Sequence, residues 1–165
     1  MISEEQFNIL CFQGESNCVD YKRAQYAFQG ASDAQKAELL KDILCFANAF
    51  RRSTAYILIG VDKDVSGLGV IHGIDDNEVI DDAQLQQFIN SKTNKRIPFS
   101  AYPLRMNSGK ILQVIEIDTC VRGRPKNVLD FTKRLVSCVK RHVARADINA
   151  AVLECVEKKV KALCN

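Results

Sequence analysis

The sequence predicts an α/β (α+β) fold in which helices pack on a mixed β-sheet, within a single domain spanning residues 1–165. A continuous apolar run with β-branched residues, Ala55–Asp62, is typical of a strand buried on both faces in the middle of a sheet. Apolar residues recur at helical spacing before it, and two strand-like segments flank a turn after it. A chain of 165 residues that is 47% hydrophobic has room for one core.

Helix-capping residues predict where the first two helices begin. Ser3-Glu4-Glu5-Gln6 is a capping box, and the short helix after it is expected to end at Gly14. A second box, Ser32-Asp33-Ala34-Gln35, opens a longer helix that runs to about Asn48. This second helix carries an apolar stripe, so we expect it to pack on the sheet.

Turn residues predict the elements that follow the central strand. A glycine-rich stretch leaves room only for a short strand at Val70–His72. Asp81 begins a third helix, which is expected to extend to Asn90. Segments Phe99–Arg105 and Lys110–Asp118 surround an Asn-Ser-Gly turn, which predicts a hairpin.

The last third of the chain is predicted to add one strand and one helix. Arg122–Lys126 forms a basic loop, and Leu135–Lys140 has the pattern of a strand. From about Asp147, apolar residues form one helical stripe to the end of the chain, so residues 147–165 are expected to be a helix that closes an edge of the sheet.

Composition restricts the class of protein. A net charge of +3 is too small for a protein that coats nucleic acid non-specifically, so any basic surface is expected to be local. Seven cysteines, odd in number and without C-x-x-C spacing, are typical of reduced core residues in a cytoplasmic protein. No window approaches the roughly 18 apolar residues of a membrane span, so we expect a protein that is neither exported nor inserted.

Two further chemistries find little support in the sequence. The glycines at positions 67, 69 and 73 do not lead from a strand into a helix, and no G-K-[ST] motif occurs, so ATP binding is not expected. Neither His72 nor His142 stands beside a serine or cysteine that needs a base, so a catalytic triad is not expected either.

The best candidate for chemistry is the segment 15–22, a turn that enters a strand. Side chains alternate in a strand, so Asp20 and Lys22 share one face. The turn before the strand can swing the carboxylate of Glu15 back toward Asp20. Two acids and a lysine are therefore expected in one small site.

These motifs occur in an order that resembles the Schlafen AlbA-type domain. The matching segments are Glu15-Ser16, Val19-Asp20-Tyr21-Lys22, Phe46-Ala47-Asn48, Tyr56–Asp62, Ile71-His72-Gly73-Ile74, Asp81-Asp82 and Arg124-Pro125. The resemblance extends from about Ile2 to Glu154 and implies an AlbA-like α/β module that binds nucleic acid, either DNA or RNA.

Some eukaryotic members of that family are similar in carrying a metal-assisted ribonuclease site of three acids. By position, the resemblance implies Glu15, Asp20 and Asp62 as ligands of Mg²⁺ or Mn²⁺, with Lys22 offsetting charge on the phosphate. The alternative is an ion pair between Asp20 and Lys22, with the other two acids at strand ends. Because the nuclease members have a larger body, a single copy is expected either to form a homodimer or only to bind.

Loop arginines and lysines are the candidate phosphate contacts. The predicted nucleic-acid-binding residues are Lys22, Arg51, Arg52, Arg122, Arg124, Lys126 and Arg141. The alternative is that most of them are ordinary solvated surface. A module for oligomerisation or regulation, without a nucleic-acid ligand, is the third possible function, and it would show a large exposed apolar patch.

Overall fold

The structure, a computed structural model, describes residues 1–49, 51–93 and 95–119. The chain divides into two units, Met1–Cys120 and Val121–Asn165, and the second lies outside the described residues. The predicted basic loop, last strand and C-terminal helix fall there, as do Arg122, Arg124, Lys126 and Arg141. In the ranges that are described, no helix has the length and apolar character needed to cross a bilayer.

The first unit contains three α-helices and six strands among its described residues. In chain order these are α1 (Glu4–Gln13), β1 (Val19–Lys22), α2 (Ala37–Asn48), β2 (Ala55–Ile59), β3 (Val61–Lys63), β4 (Gly69–Ile71), a 3₁₀ helix (Asp76–Glu78), α3 (Asp82–Lys92), β5 (Phe99–Arg105) and β6 (Ile111–Ile117). The main sheet has the order β1-β2-β6-β5, with β1 parallel to β2 and the other pairs antiparallel. A mixed sheet with helices packed on it confirms the predicted fold class.

The capping signals identify the helix starts, with one shift. The Ser3–Gln6 box is formed, and α1 ends at Gly14 as predicted. Both hydrogen bonds of the Ser32–Gln35 box are also present, but the residues after it form a turn and the regular helix begins only at Ala37. The hairpin of β5 and β6 matches its predicted bounds to within one residue.

The prediction of one continuous strand over Ala55–Asp62 is wrong, because Gly60 divides it. Gly60 has φ of 93°, and a Cβ there would lie 2.7 Å from Leu112 Cδ2. Its carbonyl accepts hydrogen bonds from the backbone N–H groups of His72 and Gly73, which turns the chain out of the main sheet. The second half of the run becomes β3, which pairs with β4 in a separate two-stranded sheet.

The main sheet separates two apolar layers. On one face it packs against α2 and α3, where the fully buried side chains include Leu39, Ile43, Ile57, Ile59, Leu85, Ile89, Ile115 and Ile117. On the other face it packs against α1, where the buried side chains include Phe7, Cys11, Tyr21, Leu58, Leu112 and Val114. Alternate residues of β1 therefore point toward α1 and toward α2.

Side chains bind some of the backbone groups at both edges of the main sheet. At the β1 edge, the backbone N–H of Tyr21 donates to Glu15 Oε1 at 3.2 Å. At the β5 edge, the N–H of Ala101 donates to Asp82 Oδ1 at 2.7 Å, and the carbonyl of Phe99 accepts from Gln86 Nε2 at 2.5 Å. Pro103, further along β5, has no N–H to offer.

The described cysteines are free thiols in three different environments. Cys11 is buried, and burial raises the pKa of its thiol to about 11, which keeps it protonated and unreactive. Cys18 is half-buried and Cys45 is exposed. The prediction of core cysteines is confirmed for Cys11 and is wrong for Cys45, which lies on the solvent side of α2.

Candidate functional site

The candidate site begins on β1, where the predicted alternation of side chains is confirmed. Val19 and Tyr21 are buried toward α1, whereas Asp20 and Lys22 are half-buried on the opposite face. This charged face lies against α2, since Lys22 contacts Asp42 of that helix.

Asp42 of α2 is the acid that links these elements. The Lys22 ammonium lies 3.0 Å from Asp42 Oδ2 and 3.1 Å from Asp20 Oδ2. Asp42 also accepts a hydrogen bond of 2.8 Å from the hydroxyl of Tyr26, and Lys41 lies 3.3 Å away. Burial alone would lower the pKa of Lys22, but the two carboxylates raise it above its ordinary value, so the lysine stays charged.

Glu15 approaches Asp20, as its position before the strand predicted. Its Oε2 lies 2.6 Å from the ammonium of Lys63, and its carboxyl group is near enough to that of Asp20 for each to influence the pKa of the other. The hydrogen bond from Lys63 is the main cause that lowers the pKa of Glu15, whereas burial is the main cause that raises the pKa of Asp20. Of the two acids, Glu15 therefore ionises the more readily.

Asp62 has different partners from the other two predicted acids. Its Oδ2 lies 2.9 Å from the guanidinium of Arg23 and 4.0 Å from the imidazole of His72. The backbone N–H of Lys63 is the main cause that lowers the pKa of Asp62, and Arg23 lowers it further. Asp62 is therefore an ionised carboxylate that faces a protein cation.

The three predicted acids do not converge on one point. Across the described ranges, no group of three or more His, Cys, Asp or Glu side chains has an arrangement that could hold a metal ion. Glu15 and Asp20 are paired with lysines, while Asp62 is paired with Arg23. These residues do not fit a shared Mg²⁺ or Mn²⁺ site in this arrangement.

The two adjacent arginines of the loop before β2 behave differently. Arg51 donates three hydrogen bonds to backbone carbonyls, those of Phe46, Ser53 and Asp118, at 3.0, 2.6 and 2.8 Å. It thereby ties the end of α2 to the segment after β6. Arg52 is exposed and makes no hydrogen bond or ion pair with the described residues.

Sequence reasoning missed several residues of the site. Asp42 could have been found, because it lies between Leu39 and Ile43 on the stripe of α2 that faces the sheet, where a carboxylate needs a partner. Nothing local marks Tyr26 or Lys63, because their partners are distant in the sequence.

Together these contacts form three neighbouring groups of ion pairs, which we call the ion-pair network: Lys22 and Lys41 with Asp20 and Asp42, Lys63 with Glu15, and Arg23 and His72 with Asp62. The groups are adjacent, because the backbone N–H of Lys63 donates to Asp62 Oδ1 at 2.8 Å and Glu15 and Asp20 influence each other's pKa. Four carboxylates oppose four lysines and arginines, so the network is neutral when the histidine is neutral. The side chains of Arg23, Lys41 and Lys63 are 68%, 62% and 53% exposed, whereas that of Lys22 is 25% exposed.

Comparison with known proteins identifies the family of the chain. No curated protein and no solved structure matches the chain significantly. The family model described as Schlafen, AlbA_2 matches residues 15–149, which is well over half of the chain and includes the whole network. The resemblance seen in the sequence is thereby confirmed, and the chain belongs to the Schlafen AlbA_2 family.

Proposed function

We propose that the chain binds nucleic acid, DNA or RNA, through the exposed cations of the ion-pair network. The observation that carries this proposal is that three exposed cations, Arg23, Lys41 and Lys63, pair with carboxylates of the three neighbouring groups of the network. Membership in the Schlafen AlbA_2 family supports a role related to nucleic acid. The phosphate backbone supplies most of the affinity in such binding, and lysine and arginine are the groups that contact it.

The exposed cations can change partners at low cost. An ion pair on the surface contributes only about 0–1 kcal/mol, so Arg23 or Lys63 can leave its carboxylate for a phosphate that makes a charge-assisted hydrogen bond. Lys22 differs because it is held between two acids in a half-buried position. Its proposed role is to hold β1 against α2 beneath the phosphates.

Arg52 extends the proposed interface, and Arg51 supports it. Arg52 projects into solvent from the loop before β2, where it can reach a phosphate. Arg51 uses its guanidinium to hold that loop in place. The remaining predicted contacts, Arg122, Arg124, Lys126 and Arg141, stay part of the proposal.

The test is a titration of labelled single-stranded RNA, single-stranded DNA and duplex DNA at several salt concentrations. Each phosphate contact contributes about 0.7 to the slope of log K against log salt for a single strand. The double variant Arg23→Ala, Lys63→Ala should bind more weakly and lower that slope by about 1.4. Comparison of the three ligands then identifies the preferred nucleic acid.

Arg105→Ala is the matched control. Arg105 is 60% exposed and paired with Asp76 at 2.7 Å, like the tested arginine, but it is not part of the network. Its substitution should leave the affinity and the slope unchanged. Equal losses in the control and the double variant, or no loss in either, would remove the network from the interface.

A metal-dependent endoribonuclease is the second candidate function, and the proximity of the carboxyl groups of Glu15 and Asp20 favours it. Such an enzyme also needs a further metal ligand, which Asp62 does not provide while it is paired with Arg23. The assay is cleavage of a structured RNA, and thermal melting, with and without Mn²⁺. A melting increment that Asp20→Asn abolishes, together with cleavage by the wild type, would establish the enzyme.

A homodimer remains part of the proposal, since two copies would build a two-sided groove for the nucleic acid. Sedimentation velocity up to about 100 μM, the range of weak association, tests it. A sedimentation coefficient that is independent of concentration and corresponds to one chain of 18.5 kDa would contradict it.

A further inference from the structure

The N-terminal helix carries two apolar faces, although only one of them packs on the sheet. Phe7 and Cys11 are buried against the main sheet, with side chains that are 0% and 5% exposed. Ile9 and Phe12 lie on the other side of α1, at 51% and 77% exposure. Single exposed apolar residues are normal, but two of them three positions apart form a stripe on one helix face.

This outer face of α1 lines an open groove of about 630 Å³. Ile9 and Phe12 supply its apolar surface, and Asn107, from the turn between β5 and β6, lies across from them. The groove is shallow and mostly open to solvent, so it is a surface on which another element can pack and not an enclosed pocket. None of the groove residues belongs to the ion-pair network.

The charge of the groove is entirely negative. Glu4 and Glu5 line it, and none of its described lining residues is a lysine, arginine or histidine. The carboxylate of Glu4 accepts a hydrogen bond from the backbone N–H of Asn107, whereas the carboxylate of Glu5 makes no hydrogen bond or ion pair with any described residue. Phosphates would be repelled here, and a symmetric pairing of two copies through this face would bring carboxylates together.

From these observations we propose that the groove binds a basic amphipathic helix of a partner protein. The partner's apolar stripe would pack on Ile9 and Phe12, and its lysines or arginines would face Glu4 and Glu5. A helix suits the site better than an extended strand, because the apolar residues of the groove lie on a helix face and not at a sheet edge to which a strand could add. This binding is separate from the proposed binding of nucleic acid.

The probe is a labelled amphipathic peptide of about 18 residues, or five helical turns, built from leucine and lysine. Two comparison peptides isolate the recognised features: one has glutamate in place of lysine, and the other has the same composition in scrambled order. The leucine–lysine peptide should bind, and its affinity should fall with salt. The other two should bind at least about tenfold more weakly.

Substitutions in the groove should weaken binding of the probe without unfolding the protein. Phe12→Ser should raise Kd about tenfold, the size expected for losing one buried aromatic contact. Glu5→Gln should raise it about threefold and reduce the salt dependence. The matched controls are Val65→Ser, at a fully exposed apolar residue outside the groove, and Glu38→Gln, at an exposed acid of α2, and both should leave Kd unchanged.

Several outcomes would overturn the proposal. They are equal binding of the glutamate peptide, absence of binding up to about 100 μM, and equal losses in the groove variants and the controls. A self-association that Phe12→Ser abolishes would instead assign the groove to a second copy of this chain. Binding of nucleic acid by the Phe12→Ser protein should match the wild type, so the two proposals fail independently.

Discussion

Removal of the Asp42 carboxylate should destabilise the protein by about 3 kcal/mol. Asp42 is 9% exposed and accepts the hydroxyl hydrogen bond of Tyr26, which is equally buried. A hydrogen bond to a charged group contributes about 1.5–3 kcal/mol, and this figure includes the cost of leaving the buried hydroxyl without a partner. Lys22 would still be paired with Asp20, so the loss of its ion pair with Asp42 costs about 1 kcal/mol of stability. The loss of the ion pair with the exposed Lys41 costs less than about 0.5 kcal/mol.

Urea denaturation of Asp42→Ala measures this loss, which should lower the midpoint by roughly 1–3 M. Asp42→Asn keeps an acceptor for the hydroxyl and should lose less. A double-mutant cycle with Tyr26→Phe should give a coupling of at least about 0.5 kcal/mol, because the two side chains share one hydrogen bond. Lys41→Ala serves as the control and should change stability by less than about 0.5 kcal/mol.

A stability of Asp42→Ala within about 0.5 kcal/mol of the wild type would refute this reasoning. It would mean that Asp42 is not the acid that joins β1 to α2. Full additivity of the Tyr26 and Asp42 substitutions would likewise contradict a shared hydrogen bond.

Three further predictions follow from single contacts. The pKa of Asp20 is raised, so its ionisation costs stability, and the melting temperature of Asp20→Asn should rise relative to that of the wild type as pH increases from acid to neutral. The pKa of Glu15 is lowered, so Glu15→Gln should melt below the wild type at neutral pH, and this difference should disappear in acid. Melting curves recorded across this pH range measure both effects. Arg51→Ala should cost about 1–3 kcal/mol in urea denaturation because three carbonyls lose their donor, while Arg52→Ala should cost less than about 0.5 kcal/mol, and equal costs would contradict the assigned roles. Gly60→Ala combines a positive φ with a close approach to Leu112 and should cost about 1–3 kcal/mol more than Gly109→Ala, whose Cβ would meet nothing; similar melting temperatures for the two variants would refute the steric argument.

The helices and the hairpin were predictable because their signals are local. All the residues that form the Ser3–Gln6 box and the Asn-Ser-Gly turn are close together in the sequence, so each feature can be recognised from a short segment alone. The approach of Glu15 to Asp20 was predictable for the same reason, since only a short turn separates them.

The misplaced strand and the missed acid depend on contacts between distant residues. Gly60 stands within an apolar run, and only its approach to Leu112, 52 positions further on, explains why the strand must end there. That break moves Asp62 into the second sheet, where it meets Arg23 instead of Asp20. Asp42 and Tyr26 are likewise joined only by the packing of α2 on the sheet.

The partly covered sheet edges change how a Glu15 substitution should be interpreted. An open edge strand is a template on which another chain can add, and proteins that lose such protection tend to aggregate. Glu15→Ala would expose the N–H of Tyr21 at the β1 edge, so a loss of activity in that variant could reflect a protein that associates through β1. Glu15→Gln keeps an oxygen for the N–H while it removes the charge, which makes it the informative variant for chemistry at this position.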